Sequence, residues 1–156
     1  MVKIRIVSYS ELLEVSNLAL NFFSEPKVSD NSIIANEENR KYWLEVVYKL
    51  LAENRDALII AEENSKIIGY LLYKLDASYP FKVKEKWSYI SDIYILPEYR
   101  RKGIGKALIN YLEEILRKNG INKIRLLVWG ENIPALEFYK KLDFKIVGYL
   151  LEKYLR

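Results

Sequence analysis

The sequence contains no cysteine and no histidine. The first absence excludes a disulfide framework, a thiol nucleophile and a cysteine metal site, and the second removes the imidazole as base or ligand. No cluster suggests a metal. Acid–base chemistry therefore falls to Asp, Glu, Tyr, Lys or water. Glycine and proline are scarce, six and four in 156 residues, so each marks a particular turn or element end. No apolar run approaches the roughly 18 residues of a membrane span. Met1-Val2-Lys3-Ile4-Arg5 alternates as a strand does and lacks a signal-peptide pattern. A cytoplasmic protein with no membrane partner is the expectation.

What is present is a large apolar fraction, 51% of residues, with thirteen tyrosines. That suffices for the core of one domain spanning 1–156. A net charge of +4 favours anionic partners in general. Nucleic acid is not expected, because Trp43, Tyr111, Phe138 and Tyr139 fall on faces predicted to be buried and form no stacking platform.

Periodicity divides the chain into alternating strands and helices. Val2–Ile6 reads as a strand, followed by a helix capped at Ser8 or Ser10 with Leu12, Val15, Ala19 and Phe22 on one face. Ser24–Asn36 is turn-rich and reads as a loop that could cover a substrate. A second helix starts at Glu37 or Glu38, carries Trp43, Val46, Val47, Leu50 and Leu51 on one side, and ends at Asn54. Ala57–Ala61 and Ile67–Tyr73 form a hairpin around Glu63–Lys66. After a surface loop at Ser78–Lys86, Tyr89–Leu96 is a strand stopped by Pro97. Ile104, Ala107, Leu108, Tyr111, Leu112, Ile115 and Leu116 share one face of a helix closed by Gly120. Ile124–Trp129 reads as another strand. A helix begins near Pro134 with Ala135, Phe138, Tyr139 and Leu142 aligned, and Phe144–Leu155 has room for two short strands split near Gly148. The order β-α-α-β-β-β-α-β-α-β-β predicts an α/β fold with a mixed, mostly antiparallel sheet flanked by helices.

Between the strand ending at Leu96 and the helix beginning at Ile104 stands Arg100-Arg101-Lys102-Gly103-Ile104-Gly105. Glycines at a strand-to-helix turn let backbone N–H groups approach a ligand, and the helix start adds unpaired donors and a positive dipole end. An anion suits this place. The dipole contributes only about 0.3–1 kcal/mol, so the three cationic side chains and several N–H bonds must supply the rest. A diphosphate would use them all. Lys106 is followed by Ala107, which excludes a P-loop, and Leu108 stands where a Rossmann fingerprint needs a third small residue.

The remaining pattern, R-x-x-G-x-G, resembles the coenzyme-A signature of the GNAT family of N-acetyltransferases. Asn132–Phe144 is similar to that family's other signature, N-x-x-A-x-x-F-Y-x-K-x-G-F, with Asp143 at the usual glycine. Asp tolerates the positive φ required there. The resemblance covers nearly the whole chain, least securely before Ala57, and implies the acyl-CoA N-acyltransferase fold and acetyl-CoA as cofactor. It implies that Ile93, Tyr94 and Ile95 border the cofactor arm. The loop Arg100, Arg101, Lys102, Gly103, Ile104, Gly105 and Lys106 would hold its diphosphate, and Asn132, Ala135 and Tyr139 would complete the cofactor site. Tyr139 is the implied general acid. A phenol protonates a thiolate at a cost of only about 2 kcal/mol.

The base is harder to assign. Ser91 stands where many relatives carry a glutamate, which leaves neighbouring Asp92, on the correct face only if a bulge intervenes. Glu37, Glu38 and Glu45 are distant alternatives. A weak base favours an α-amine, which costs about 1.4 kcal/mol to deprotonate at neutral pH against about 4.6 for a lysine-like amine. The expected function is acetyl-CoA-dependent acetylation of a primary amine by direct attack, at a protein N-terminus or other α-amine. Polyamines, lysine or aminoglycosides are alternative acceptors, and a non-catalytic acyl-CoA sensor is the alternative class. Homodimers are common in the family, so pairing through Tyr149–Leu155 across a two-fold axis is an expectation by analogy.

Overall fold

The computed structural model describes residues 1–156. Strand β1 (Lys3–Ile6) leads through a 3₁₀ turn at Tyr9–Glu11 into helix α1 (Leu12–Ser24). The turn is fixed by the Ser8 N–H, which donates to Glu11 Oε2 at 2.9 Å. Helix α2 (Glu37–Glu53) starts at Asn36, whose Oδ1 accepts from the Asn39 N–H at 2.8 Å.

Strands β2 (Leu58–Glu63) and β3 (Lys66–Lys74) form the hairpin, with Asn64 and Ser65 both at positive φ, the geometry that matches strand twist in a two-residue turn. Strand β4 (Ser88–Ile95), helix α3 (Ile104–Lys118), the short strand β5 (Ile124–Arg125) and helix α4 (Ile133–Lys141) follow. The sheet order is β1-β2-β3-β4-β5, antiparallel except for the β4–β5 pair. No helix is long and apolar enough to cross a membrane.

The sheet divides two cores. On one face, α1 and α2 cover Leu58, Ile60, Ile67, Tyr70, Leu72 and Tyr94 with Leu12, Val15, Trp43, Val47 and Leu51. On the other, α3 and α4 cover Ile59, Ile68, Leu71, Tyr73 and Ile90 with Leu108, Ile109, Leu112 and Tyr139.

Three expectations need correction. Val46 on α2 is exposed, because the buried stripe is the narrower Trp43, Val47, Leu51 set. The strand expected at Ile124–Trp129 is only Ile124–Arg125, paired to β4 at Ser88 and Tyr89 alone. The two strands expected in Phe144–Leu155 do not form. Ile146, Val147, Tyr149, Leu150, Leu151, Tyr154 and Leu155 are all exposed. An apolar alternation makes a strand only where an edge is offered to it. No strand of the sheet pairs with this segment.

Candidate active site

A β-bulge organises the centre of the molecule. In the β3–β4 ladder Leu72 faces Asp92 and Tyr73 faces Ile90, so Ser91 is the extra residue. The bulge inverts side-chain parity. Ile90 points into the α3 core, whereas Asp92 and Tyr94, at the same spacing parity, point to the α1–α2 side. The condition that the sequence set for Asp92 is met.

Beyond the bulge, β4 loses its second neighbour. Its pairing with β5 stops at Tyr89–Arg125, and bulges bend the strand that carries them. The Leu96 N–H donates to Ile68 O at 2.9 Å. By the alternation of an antiparallel ladder, Tyr94 and Asp92 also turn their backbone toward β3, while Ile93 and Ile95 turn theirs to the open side. The edge that β5 leaves unpaired suits an extended polar chain, with the Ile95 carbonyl already accepting from Arg100 Nε. By the same alternation Tyr94 turns its backbone to β3, and its ring lies on the α1–α2 layer.

The loop after β4 supplies a second set of free donors. None of the six N–H groups from Arg101 to Lys106 has an acceptor within the protein. Gly103 adopts φ +81° and Arg101 φ +64°, and a Cβ placed on Gly103 would meet nothing within 4 Å. The donors open on empty space beside the exposed side chains of Arg101 and Lys102. This arrangement fits a diphosphate. Gly105 serves packing instead, because a Cβ there would lie 2.9 Å from Phe138 Cζ.

Arg100 departs from expectation. Its Nη1 and Nη2 donate to the two carboxylate oxygens of Glu25 at 2.6 and 2.7 Å, its Nε donates to Ile95 O at 2.8 Å, and its guanidinium lies 5.2 Å from the Tyr94 ring centre.

Asp92 Oδ2 accepts from Trp43 Nε1 at 2.7 Å and from the Tyr70 hydroxyl at 3.2 Å. Burial pushes its carboxyl above the usual carboxylate range, and the two donors partly offset that rise. Oδ1 has no protein partner. It is not sealed in, for the one sealed side-chain polar atom without a partner is Ser29 Oγ. Trp43 and Tyr70 were legible only as core aromatics; the signal that could have found them is that a buried indole N–H or phenol seeks an acceptor.

Tyr139 lies in the α3–α4 core between Phe138 and Phe144. Burial alone pushes its hydroxyl well above the ordinary phenol value. Asn132 caps α4, accepting from the Ala135 N–H at 3.3 Å. Asp143 takes φ +66°, as its place in the motif requires. Glu37 pairs with Arg40, and Glu38 and Glu45 are exposed on α2. Asp92 and Tyr139 therefore stand on opposite layers of the sheet, one on each side of β4.

The acetyltransferase (GNAT) family model matches residues 15–144. Among curated proteins, the chain is 33% identical over 108 residues to an uncharacterized N-acetyltransferase of Methanocaldococcus jannaschii, covering 68% of this chain but only 47% of that protein. It is 30% identical to an N-alpha-acetyltransferase of Sulfurisphaera tokodaii, over 78% of this chain and 74% of the relative. It is 33% identical to a spermidine N(1)-acetyltransferase of Thermoplasma acidophilum, over 72% and 71%. The fold matches that of a predicted acetyltransferase from Clostridium acetobutylicum solved with acetyl-CoA, at a TM-score of 0.76 and 23% identity, covering 99% of this chain and 96% of that one.

The family model and these relatives place the chain in the class of acetyl-CoA-dependent N-acetyltransferases. The chain belongs to the acetyltransferase (GNAT) family.

Proposed function

We propose that this chain acetylates α-amines, protein N-termini among them, with Asp92 taking the amine proton at Oδ1 and Tyr139 holding a proton at its hydroxyl for the leaving sulfur. Acetyl-CoA supplies the acetyl thioester, whose C–S bond is exchanged for a C–N bond with release of a thiol. The N–H groups of Arg101 to Lys106 would hold the diphosphate, and the open backbone of Ile93 with the Ile95 N–H would align the arm.

One observation carries the choice of acceptor: the carboxylate set at the bulge of β4, Asp92, has Oδ2 held by Trp43 and Tyr70 and only Oδ1 free. A carboxylate, even one raised by burial, is a weak base. An α-amine needs about 1.4 kcal/mol to lose its proton at neutral pH, whereas a lysine-like amine needs about 4.6. The N-alpha-acetyltransferase relative supports the same reading.

The test is thiol release from acetyl-CoA with an α-amine peptide, a lysine peptide with a blocked N-terminus, spermidine, an aminoglycoside and no acceptor. Faster turnover of the α-amine peptide at equal concentration is expected. Faster turnover of spermidine or lysine would overturn the acceptor, and binding of acetyl-CoA without turnover of any amine would favour a sensor.

A further inference from the structure

Arg100 opens the motif of the cofactor loop, yet its guanidinium is engaged with residues outside that loop. Three of its N–H groups are committed, two to Glu25 as a fork and one to the carbonyl of Ile95. The pair is partly shielded, with 35% of the Arg100 side chain and 26% of Glu25 exposed, which limits screening by solvent. Glu25 is the first residue past α1, where its N–H still donates to Asn21 O. It therefore begins the connection 25–36, which leads to α2 and to Trp43 on Asp92.

Glu25 and Arg100 are 75 residues apart in sequence and join the two halves of the site. On one side lie the end of β4 and the row of free N–H groups. On the other lies the connection bordering the acceptor side. There is little slack between them, because Pro97–Tyr99 is wound as a 3₁₀ turn and the Arg100 N–H donates to Pro97 O at 3.2 Å. A bidentate fork fixes orientation as well as distance. A shift of the loop around a bound diphosphate is thus passed through Arg100 to Glu25.

We propose that Glu25 is a positioning residue: its fork with Arg100 couples occupancy of the 101–106 loop by acetyl-CoA to the placement of the 25–36 connection on the acceptor side. The coupling goes beyond the proposed acceptor and rests on the same placement of the cofactor on that loop.

The experiment is backbone hydrogen exchange of residues 26–36, with and without saturating acetyl-CoA and with no acceptor, in the wild type, Glu25→Gln and Arg100→Lys. Site-to-site coupling is commonly 5- to 150-fold, so acetyl-CoA should slow exchange there by about tenfold or more in the wild type. In Glu25→Gln the slowing should be lost when acetyl-CoA saturates the variant, with the acetyl-CoA Kd weakened by no more than the lost coupling factor. Arg100→Lys should lose it too, since an ammonium cannot form the fork.

Wild-type protein that binds acetyl-CoA without protecting 26–36 would overturn the coupling. So would equal protection in both variants. A folded wild type that does not bind acetyl-CoA would overturn both this inference and the proposed function. Turnover of an acceptor other than an α-amine would overturn only the latter, because the exchange measurement uses no acceptor.

Discussion

Gly105 on α3 and Phe138 on α4 meet so closely that a Cβ on the glycine would stand 2.9 Å from Phe138 Cζ and 3.3 Å from Cε2. The two sequence motifs thus touch in space, and α4 rests on the first turn of α3, whose N–H groups have no acceptor within the protein. Gly105→Ala should destabilise the protein by about 1–3 kcal/mol through overpacking and weaken acetyl-CoA binding by tilting that turn. Urea unfolding and calorimetric titration read the two effects. Adding Phe138→Leu should recover part of both, and an alanine variant as stable as the wild type would show that the contact is slack.

Asp92 gives a prediction about rate and pH. Asp92→Asn should lower kcat by about a hundredfold or more, as loss of a general base does, with the acetyl-CoA Kd unchanged. Trp43 and Tyr70 donate to Oδ2 and pull its pKa down against burial. Trp43→Phe should therefore raise that pKa and move the acid limb of the kcat/KM profile to higher pH. A limb that stays in place would remove Asp92 from the profile.

Tyr139 separates chemistry from packing. No group of the protein hydrogen-bonds to its hydroxyl, and its ring lies between Phe138 and Phe144. Tyr139→Phe should change stability by less than about 0.5 kcal/mol yet reduce kcat. Because burial raises the phenol pKa, proton donation costs more than the roughly 2 kcal/mol of an unperturbed phenol and thiolate. The hydroxyl also stays protonated throughout the neutral range. A variant with full kcat would leave Tyr139 as a packing aromatic.

The far end of the sheet has its own pH dependence. Arg5 donates to both oxygens of Glu11, at 2.6 and 2.9 Å, and also to Glu62. The Arg5 hydrogen bonds lower the Glu11 carboxyl to about 2. A depressed carboxylate adds stability that is present above its unfolded value, near 4.5, and is lost as pH falls toward the folded one. Thermal unfolding should show a decline over that acid range, and Glu11→Gln should flatten it. The loss at neutral pH in the variant should be about 1 kcal/mol, because both side chains are partly exposed.

The parts of the fold legible in the sequence are those set by neighbours in the chain. The helix at Ile104–Lys118 follows from its apolar spacing and Gly120, which takes φ +70°. The hairpin follows from two apolar runs around Asn64-Ser65, and the end of α4 from Asp143 at positive φ. Even here, tertiary packing narrowed the faces: Ile109 is fully buried outside the expected stripe, and Val46 inside one is exposed.

The site was legible as residue types and only partly as geometry. The run Arg100-Arg101-Lys102 looks like one basic patch. In space Arg100 pairs with Glu25, and Arg101 and Lys102 stay exposed. Nothing near Glu25 in the sequence signals this, because the pair forms only once α1 and β4 are packed side by side.

The amino-acid sequence by itself determined the element order as far as α4, the two motifs and the absence of thiol and imidazole chemistry, since propensity, periodicity and side-chain identity act over a few residues. Only the tertiary structure decided that Ser91 is a bulge, that Asp92 meets Trp43 and Tyr70, and that β5 stops at Arg125. The physical reason is that a strand's register, the face its side chains take and the partners of a buried charge depend on which other strand or helix lies alongside. That is a property of the packed sheet, absent from any single segment.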